Sequence, residues 1–206
     1  MKIRMLVMSL AVGAFLFTAC NDNKKKEEEA RLEKEKMEME QKKADEEAAM
    51  KAQMEFEQNT IAAKAMSNDQ FSTLVSALQS AELAETFKNE GEYTVFAPTN
   101  AAFDKVPKNT LTTLMKPENK SQLQNLLKYH VVEGEWKADA VIKAINDNNN
   151  AYKVTTLAGE NITLSLKDGN VMLKDAKGKT ATVVMADVDA SNGVIHGIDA
   201  VVMPKA

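Results

Sequence analysis

Cysteine, histidine, proline and tryptophan are all scarce in this 206-residue chain: one Cys, two His, four Pro and one Trp. A lone cysteine, Cys20, excludes an intrachain disulfide, so cysteine count says nothing about redox compartment. Two histidines and one cysteine are too few for a structural zinc site, which takes four Cys or His ligands. No apolar run reaches the ~20 residues a membrane-crossing helix needs. Nor is there an excess of positive charge: 26 Lys and Arg stand against 30 Asp and Glu, a net of −4. No stretch of sequence concentrates the cations that phosphate neutralisation requires, so nucleic acid is not an expected partner.

What is present divides into three regions. Residues 1–19 carry Lys2 and Arg4 without an acid, followed by an apolar run from Met5 to Ala19 that only Ser9 and Thr18 interrupt. This is the pattern of a secretory signal peptide. It ends in Phe17-Thr18-Ala19-Cys20, small residues before a cysteine, which resembles the bacterial lipobox despite Phe17 where Leu is usual. The resemblance implies cleavage before Cys20 and acylation there, with palmitate-type chains, as a membrane anchor. Each buried methylene contributes about 0.8 kcal/mol to such an anchor. The expected location is the bacterial cell envelope, at the outer membrane or cell surface rather than the inner membrane. The competing reading is an ordinary secretory peptide with a chance cysteine.

Residues 20–58 form the second region. From Lys24 on they are Lys, Glu, Ala, Met and Gln almost throughout, with neither Gly nor Pro. These are strong helix formers. Glu27–Arg31, Glu38–Lys42 and Glu47–Lys51 are spaced for i,i+4 pairing. Leu32, Met37, Met39, Met50, Met54 and Phe56 are too irregular for a sustained coiled-coil seam. A solvated single helix or a partly disordered linker is expected, with a coiled coil as the alternative. In either form the region reads as a stalk.

The third region, 59–206, brings aromatics, β-branched residues, Gly and Pro. Asn68 precedes a helix with Phe71, Leu74, Val75 and Leu78 on one face. Tyr93 to Ala97 reads as a strand stopped by Pro98. Thr99 or Asn100 caps a short helix, Asn109–Met115 is another, and Pro117 opens an amphipathic one that carries Leu123, Leu126, Leu127 and His130. Ala138–Ile145 is helical. Strands are expected at 152–156, 161–166, 171–174, 180–188 and 194–203, separated by Ala158-Gly159, Asp168-Gly169-Asn170, Lys177-Gly178 and Asn192-Gly193 turns. Helices followed by hairpins make an α+β domain.

Four segments then resemble, in order and spacing, the motifs of the fasciclin domain. They are Asp69-Gln-Phe-Ser-Thr-Leu74, Tyr93-Thr-Val-Phe-Ala-Pro-Thr-Asn-Ala-Ala-Phe103, Leu127-Lys-Tyr-His-Val-Val132 and Ser191-Asn-Gly-Val-Ile-His-Gly-Ile-Asp199. Val201-Val-Met-Pro204 is similar to its closing strand. Ala101 and Gly197 depart from the pattern, and a glycine inside a strand should weaken it. The resemblance implies a single fasciclin-like domain with its hairpins in a wedge or sandwich, and an adhesive rather than catalytic role. Tyr129-His130 is similar to the family's tyrosine–histidine motif, linked to integrin-mediated adhesion in animal members.

A catalytic reading would pair His130 or His196 with Ser191, Ser72 or Asp199. No nucleophile-elbow sequence supports it, and buried imidazoles usually serve the fold. Asp187-Val-Asp189-Ala-Ser191 starts like a calcium loop but lacks Gly at its sixth position and an acid at its twelfth, so it is read as a turn. Asn119-Lys-Ser121 and Asn161-Ile-Thr163 match a glycosylation acceptor by chance if the chain is bacterial. No enzyme activity, cofactor or metal is expected. The expected function is an envelope-anchored module that binds a protein, glycan or lipid partner. The alternatives are a structural spacer in which the stalk is the working part and, last, an uncharacterised hydrolase.

Overall fold

A computed structural model describes residues 6–83 and 91–205, with side chains from Lys24 onward. The Cys20 thiol and the signal-peptide side chains therefore lie outside the described residues. Two compact units divide between residues 53 and 54. The second begins five residues before the compositional change at Asn59.

Helix α1 runs from Leu6 to Gln58. Its propensity explains it, since the charged part has no Gly or Pro to stop it. The pairs formed are not those expected. Arg31 reaches Glu35, Lys34 reaches Glu38 and Lys42 reaches Glu46, all exposed. Arg31 and Lys42 have an acid one turn away on each side, and such exposed pairs differ little in energy.

The second unit begins with α2 (Ile61–Met66), capped by the Thr60 side chain at Ala63 N. Asn68 caps a single 3-10 turn, Asp69–Phe71, and α3 (Ser72–Ser80) follows. Strand β1 (Tyr93–Pro98) leads into α4 (Asn100–Asp104), which Thr99 caps, and then α5 (Lys108–Leu114). A second 3-10 turn at Pro117–Asn119 opens α6 (Lys120–Tyr129). Then come β2 (Val131–Glu133), α7 (Ala138–Asp147), β3 (Tyr152–Thr155), β4 (Asn161–Lys167), β5 (Asn170–Lys174), β6 (Thr180–Ala190) and β7 (Gly193–Ile198).

The seven strands are ordered β2-β1-β7-β6-β5-β4-β3. Every neighbouring pair is antiparallel except β1 and β7, which run parallel with Tyr93 opposite Gly193 and Phe96 opposite His196. The two outer strands approach each other: Val132 bridges Thr156, and Leu157 N donates to Val131 O. The sheet thus curls into a wedge, the second of whose two cores lies inside it.

Alternation along β1 distributes its side chains between those cores. Val95 and Ala97 join Ile195 and the apolar faces of α2, α3, α4 and α6, with Phe71, Leu74 and Leu123 at the centre. Phe96 joins Ile198, Val141, Ile145, Ile162 and Leu173 on the other side. Each fully buried aliphatic side chain contributes about 1.5–3 kcal/mol. This sandwiching buries β1 and β7, second and third in the strand order, on both faces as a parallel pair usually is.

Two expectations need correction. The last strand ends at Ile198 rather than Met203: Asp199 N–H still donates to Thr182 O, but the Asp199 carboxylate takes Thr182 N in place of a backbone carbonyl and so closes the ladder. The glycine at 197 is a close-packing residue, not a defect. A Cβ there would sit 3.0 Å from Met185 Cβ and 3.5 Å from the Phe71 ring.

Candidate functional site

The polar residues of the four motifs converge on the ends of helices and on the β1–β7 seam. Asn100 is a bracket. Its amide donates to Asp69 O and Ser72 Oγ, and its Oδ1 accepts from Thr73 N, capping the start of α3 from another helix. Buried Asn192 accepts from Ile61 N at 2.8 Å, while its carbonyl accepts from Tyr93 N. Next to it Gly193 has φ +139°, and a Cβ there would lie 1.9 Å from Tyr93 O.

Tyr129 is wholly buried. Its hydroxyl donates to Asn161 O at 3.2 Å and accepts from Ala176 N at 3.1 Å, tying α6 to two hairpin loops. Burial raises its pKa above the ordinary phenol value; the Ala176 bond opposes this, and the nearby carboxylates of Asp175 and Glu160 add to it.

His130 lies just past the end of α6, not on the helix as expected. Its ring turns back so that Nδ1 donates to Leu126 O at 2.8 Å, and Nε2 accepts from Val202 N at 3.3 Å. Desolvation lowers its pKa to about 4, outweighing the Leu126 bond, so the ring is neutral at pH 7. With Asp175 and Glu160 it secures the C-terminal segment. Val202, Met203 and Lys205 donate their backbone N–H groups to His130, Asp175 and Glu160 in turn.

His196 uses its nitrogens the other way round. Nε2 donates to Trp136 O at 2.8 Å and Nδ1 accepts from Asp187 N at 3.2 Å. Asp187 has φ +55° within a bulged part of β6 and accepts from Ala138 N, capping α7. His196 and Asp187 together therefore fasten the start of α7 to the sheet. Between α7, the β4–β5 turn and this bulge lies an apolar cleft of about 150 Å³, walled by Phe96, Val141, Val171 and His196.

The catalytic dyads are not assembled. Both imidazoles bond only backbone groups. Ser191 Oγ donates to Phe56 O, Ser72 Oγ accepts from Asn100, and Asp199 is held by Thr182 N and Lys105. Asp187 and Asp189 fall inside β6 rather than in a turn, with Asp189 paired to Lys137 at 3.1 Å. Among the described residues no three His, Cys, Asp or Glu side chains gather as a metal site, and no helix is long and apolar enough to cross a membrane.

Sequence reasoning missed Asp175, Asp187 and Asn100 as organising residues. Asp175 could have been found as the first residue of Asp-Ala-Lys-Gly-Lys, a turn in which a carboxylate accepts from N–H groups two and four residues on, as this one does. Asp187 had no such signal.

Residues 69–204 match the family described as the fasciclin domain. The chain is 48% identical over 145 residues to protein sll1483 of Synechocystis, covering 70% of this chain and 73% of that one. It is 36% identical over 154 residues to the cell surface glycolipoprotein MPB83 of Mycobacterium bovis, covering 72% and 62%. It is 38% identical over 139 residues to the transforming growth factor-beta-induced protein ig-h3 of pig, covering 68% of this chain but 18% of that protein. Among solved structures it resembles a FAS1 domain pair from the insect cell adhesion molecule fasciclin I. The TM-score is 0.62 at 18% identity, over 69% of this chain and 50% of that one, a likeness of fold.

Proposed function

The chain belongs to the fasciclin family, and from that premise we propose that it is a non-enzymatic interaction module displayed at the bacterial cell envelope by a lipid on Cys20. The observation that carries this reading is the use made of the motif residues. Tyr129, His130, His196, Asn100 and Asn192 spend their hydrogen bonds on the fold itself. Among the described residues no buried side-chain polar atom lacks a partner. A catalytic group would keep a lone pair or proton available to substrate. These residues act as structural ties, and contact with a partner falls to the surface they hold in shape.

The relatives support the location. One is named a cell surface glycolipoprotein, and the structural neighbour comes from a cell adhesion molecule. The lipobox-like Phe17-Thr18-Ala19-Cys20 supplies the anchor, and the charged part of α1 the spacer between anchor and domain.

Replacing Cys20 with Ser should move the protein from membrane to soluble fractions, with the mass of its acyl chains lost. Continued partitioning with membranes would show that the anchor is elsewhere. Deleting residues 24–53 separates a binder from a spacer. A binding module keeps its affinity for its partner in solution, whereas a spacer loses its function with its length.

A further inference from the structure

Strand register exposes a surface that composition conceals. Lys153, Thr163, Lys174 and Thr180 stand in one row across β3, β4, β5 and β6. Ser165, Met172 and Thr182 form the next row, with Lys167 opposite Asn170 and Thr155 opposite Asn161 beyond. The intervening residues, among them Val154, Ile162, Leu164, Leu173 and Ala181, are buried in the inner core. The rows therefore share the outward face. Its lysines and its Thr155, Asn161, Asn170 and Thr180 are exposed.

No acid occupies any of these register positions. Lys177 and Lys179, exposed in the β5–β6 turn, extend the same hairpin. Of the acids flanking the face, two are engaged by backbone N–H groups and one is exposed at its edge. Asp175 is buried under three backbone N–H groups, Glu160 holds Lys205 N, and Asp168 sits in the β4–β5 turn. Lys153, Lys167, Lys174, Lys177 and Lys179 enter no ion pair among the described residues, a property they share with Lys64, Lys108, Lys128 and Lys205, so what sets them apart is their grouping on one hairpin face. In a chain of net charge −4, a face of unpaired lysines set among hydroxyls and amides is a segregated cationic surface.

We propose that this face of β3–β6 binds an acidic polysaccharide, its lysines meeting carboxylates and its Thr, Ser and Asn side chains the sugar hydroxyls. The assignment rests on the interaction reading above and names the partner's chemistry. Charge complementarity selects a polyanion. A bilayer is disfavoured because Val184, beyond Thr182 on β6, is a single exposed apolar side chain beside these positions and Met172 is half-buried, too little apolar surface to insert. A single-stranded nucleic acid is disfavoured because no aromatic ring stands on the face for bases to stack on.

The test uses the full-length chain and measures binding to polygalacturonate, neutral dextran, phosphatidylglycerol vesicles and single-stranded DNA. Polygalacturonate should bind, and binding should weaken about tenfold from low to high salt as its charges are screened. Replacing Lys153, Lys167 and Lys174 together by Gln should reduce affinity at least about tenfold with an unchanged circular dichroism spectrum. A matched Lys36, Lys42 and Lys43 to Gln control in α1 should leave affinity unchanged. Thr155→Ala with Thr180→Ala, which keeps the charge, should weaken polygalacturonate binding and spare DNA binding. Tighter binding to vesicles, DNA or neutral dextran would overturn the proposal, as would an unaffected triple-lysine variant. If that variant still captures an envelope component as the parent does, the face is wrong while the interaction reading stands.

Discussion

His130 offers a prediction whose size follows from its surroundings. In the unfolded chain its imidazole titrates near the ordinary 6.5, and in the folded domain at about 4. Between those values the unfolded chain binds the proton and the folded one does not. Its contribution is therefore fully present above pH 6.5 and is lost as the pH falls toward 4. By pH 4.5 the loss is on the order of 2–3 kcal/mol, a large part of a small domain's stability. His130→Gln removes the titrating group while retaining an amide. At pH 7.5 it should cost about 1–3 kcal/mol through weakened bonds to Leu126 O and Val202 N. At pH 4.5 that cost should be gone or reversed in sign, because the parent has lost its advantage and the variant has not. Urea unfolding of parent and variant at both pH values measures the difference, and carboxylates that protonate in both chains cancel from it. A parent–variant gap that stays constant between pH 7.5 and 4.5 would refute the buried, neutral assignment.

Other substitutions test the seam and the unit boundary. Gly193→Ala forces a Cβ onto Tyr93 O and should destabilise by more than about 4 kcal/mol or prevent folding, read as loss of the cooperative melt. Asn192→Ala leaves Ile61 N unpaired in the interior and should cost about 1–3 kcal/mol in chemical denaturation. His196→Ala should lower the melting temperature by releasing Trp136 and Asp187, without creating or abolishing turnover of any substrate. A chain beginning at Met54 should melt above one beginning at Asn59, since Phe56 O accepts from Ser191 Oγ; equal melting temperatures would place the boundary at Asn59.

The local elements were legible because they follow short-range rules. Ile162, Leu164 and Leu166 alternate, Thr99 is a cap, and Asp168-Gly169 supplies the positive φ its turn uses. What stayed hidden depends on contacts distant in sequence. The parallel pairing of β1 with β7 joins residues 93–98 to 193–198, and no periodicity in either strand announces it. Gly197 reads as a weak point until Phe71 and Met185 are seen against it. The β6 bulge and its Asp187 cap on α7 arise from the fit of helix to sheet, not from turn chemistry. The lysine face is equally invisible in a net charge of −4, because Lys153, Lys167 and Lys174 become neighbours only through register.

The central claim, that this domain binds and does not catalyse, is tested most directly on one preparation of the full-length chain. Binding to envelope fractions is measured beside turnover of ester, phosphate and glycoside substrates, for the parent and for His196→Ala at a temperature where both remain folded. The account predicts saturable binding retained by both and turnover by neither. Turnover by the parent that His196→Ala abolishes, with folding intact, would contradict it and identify an enzyme.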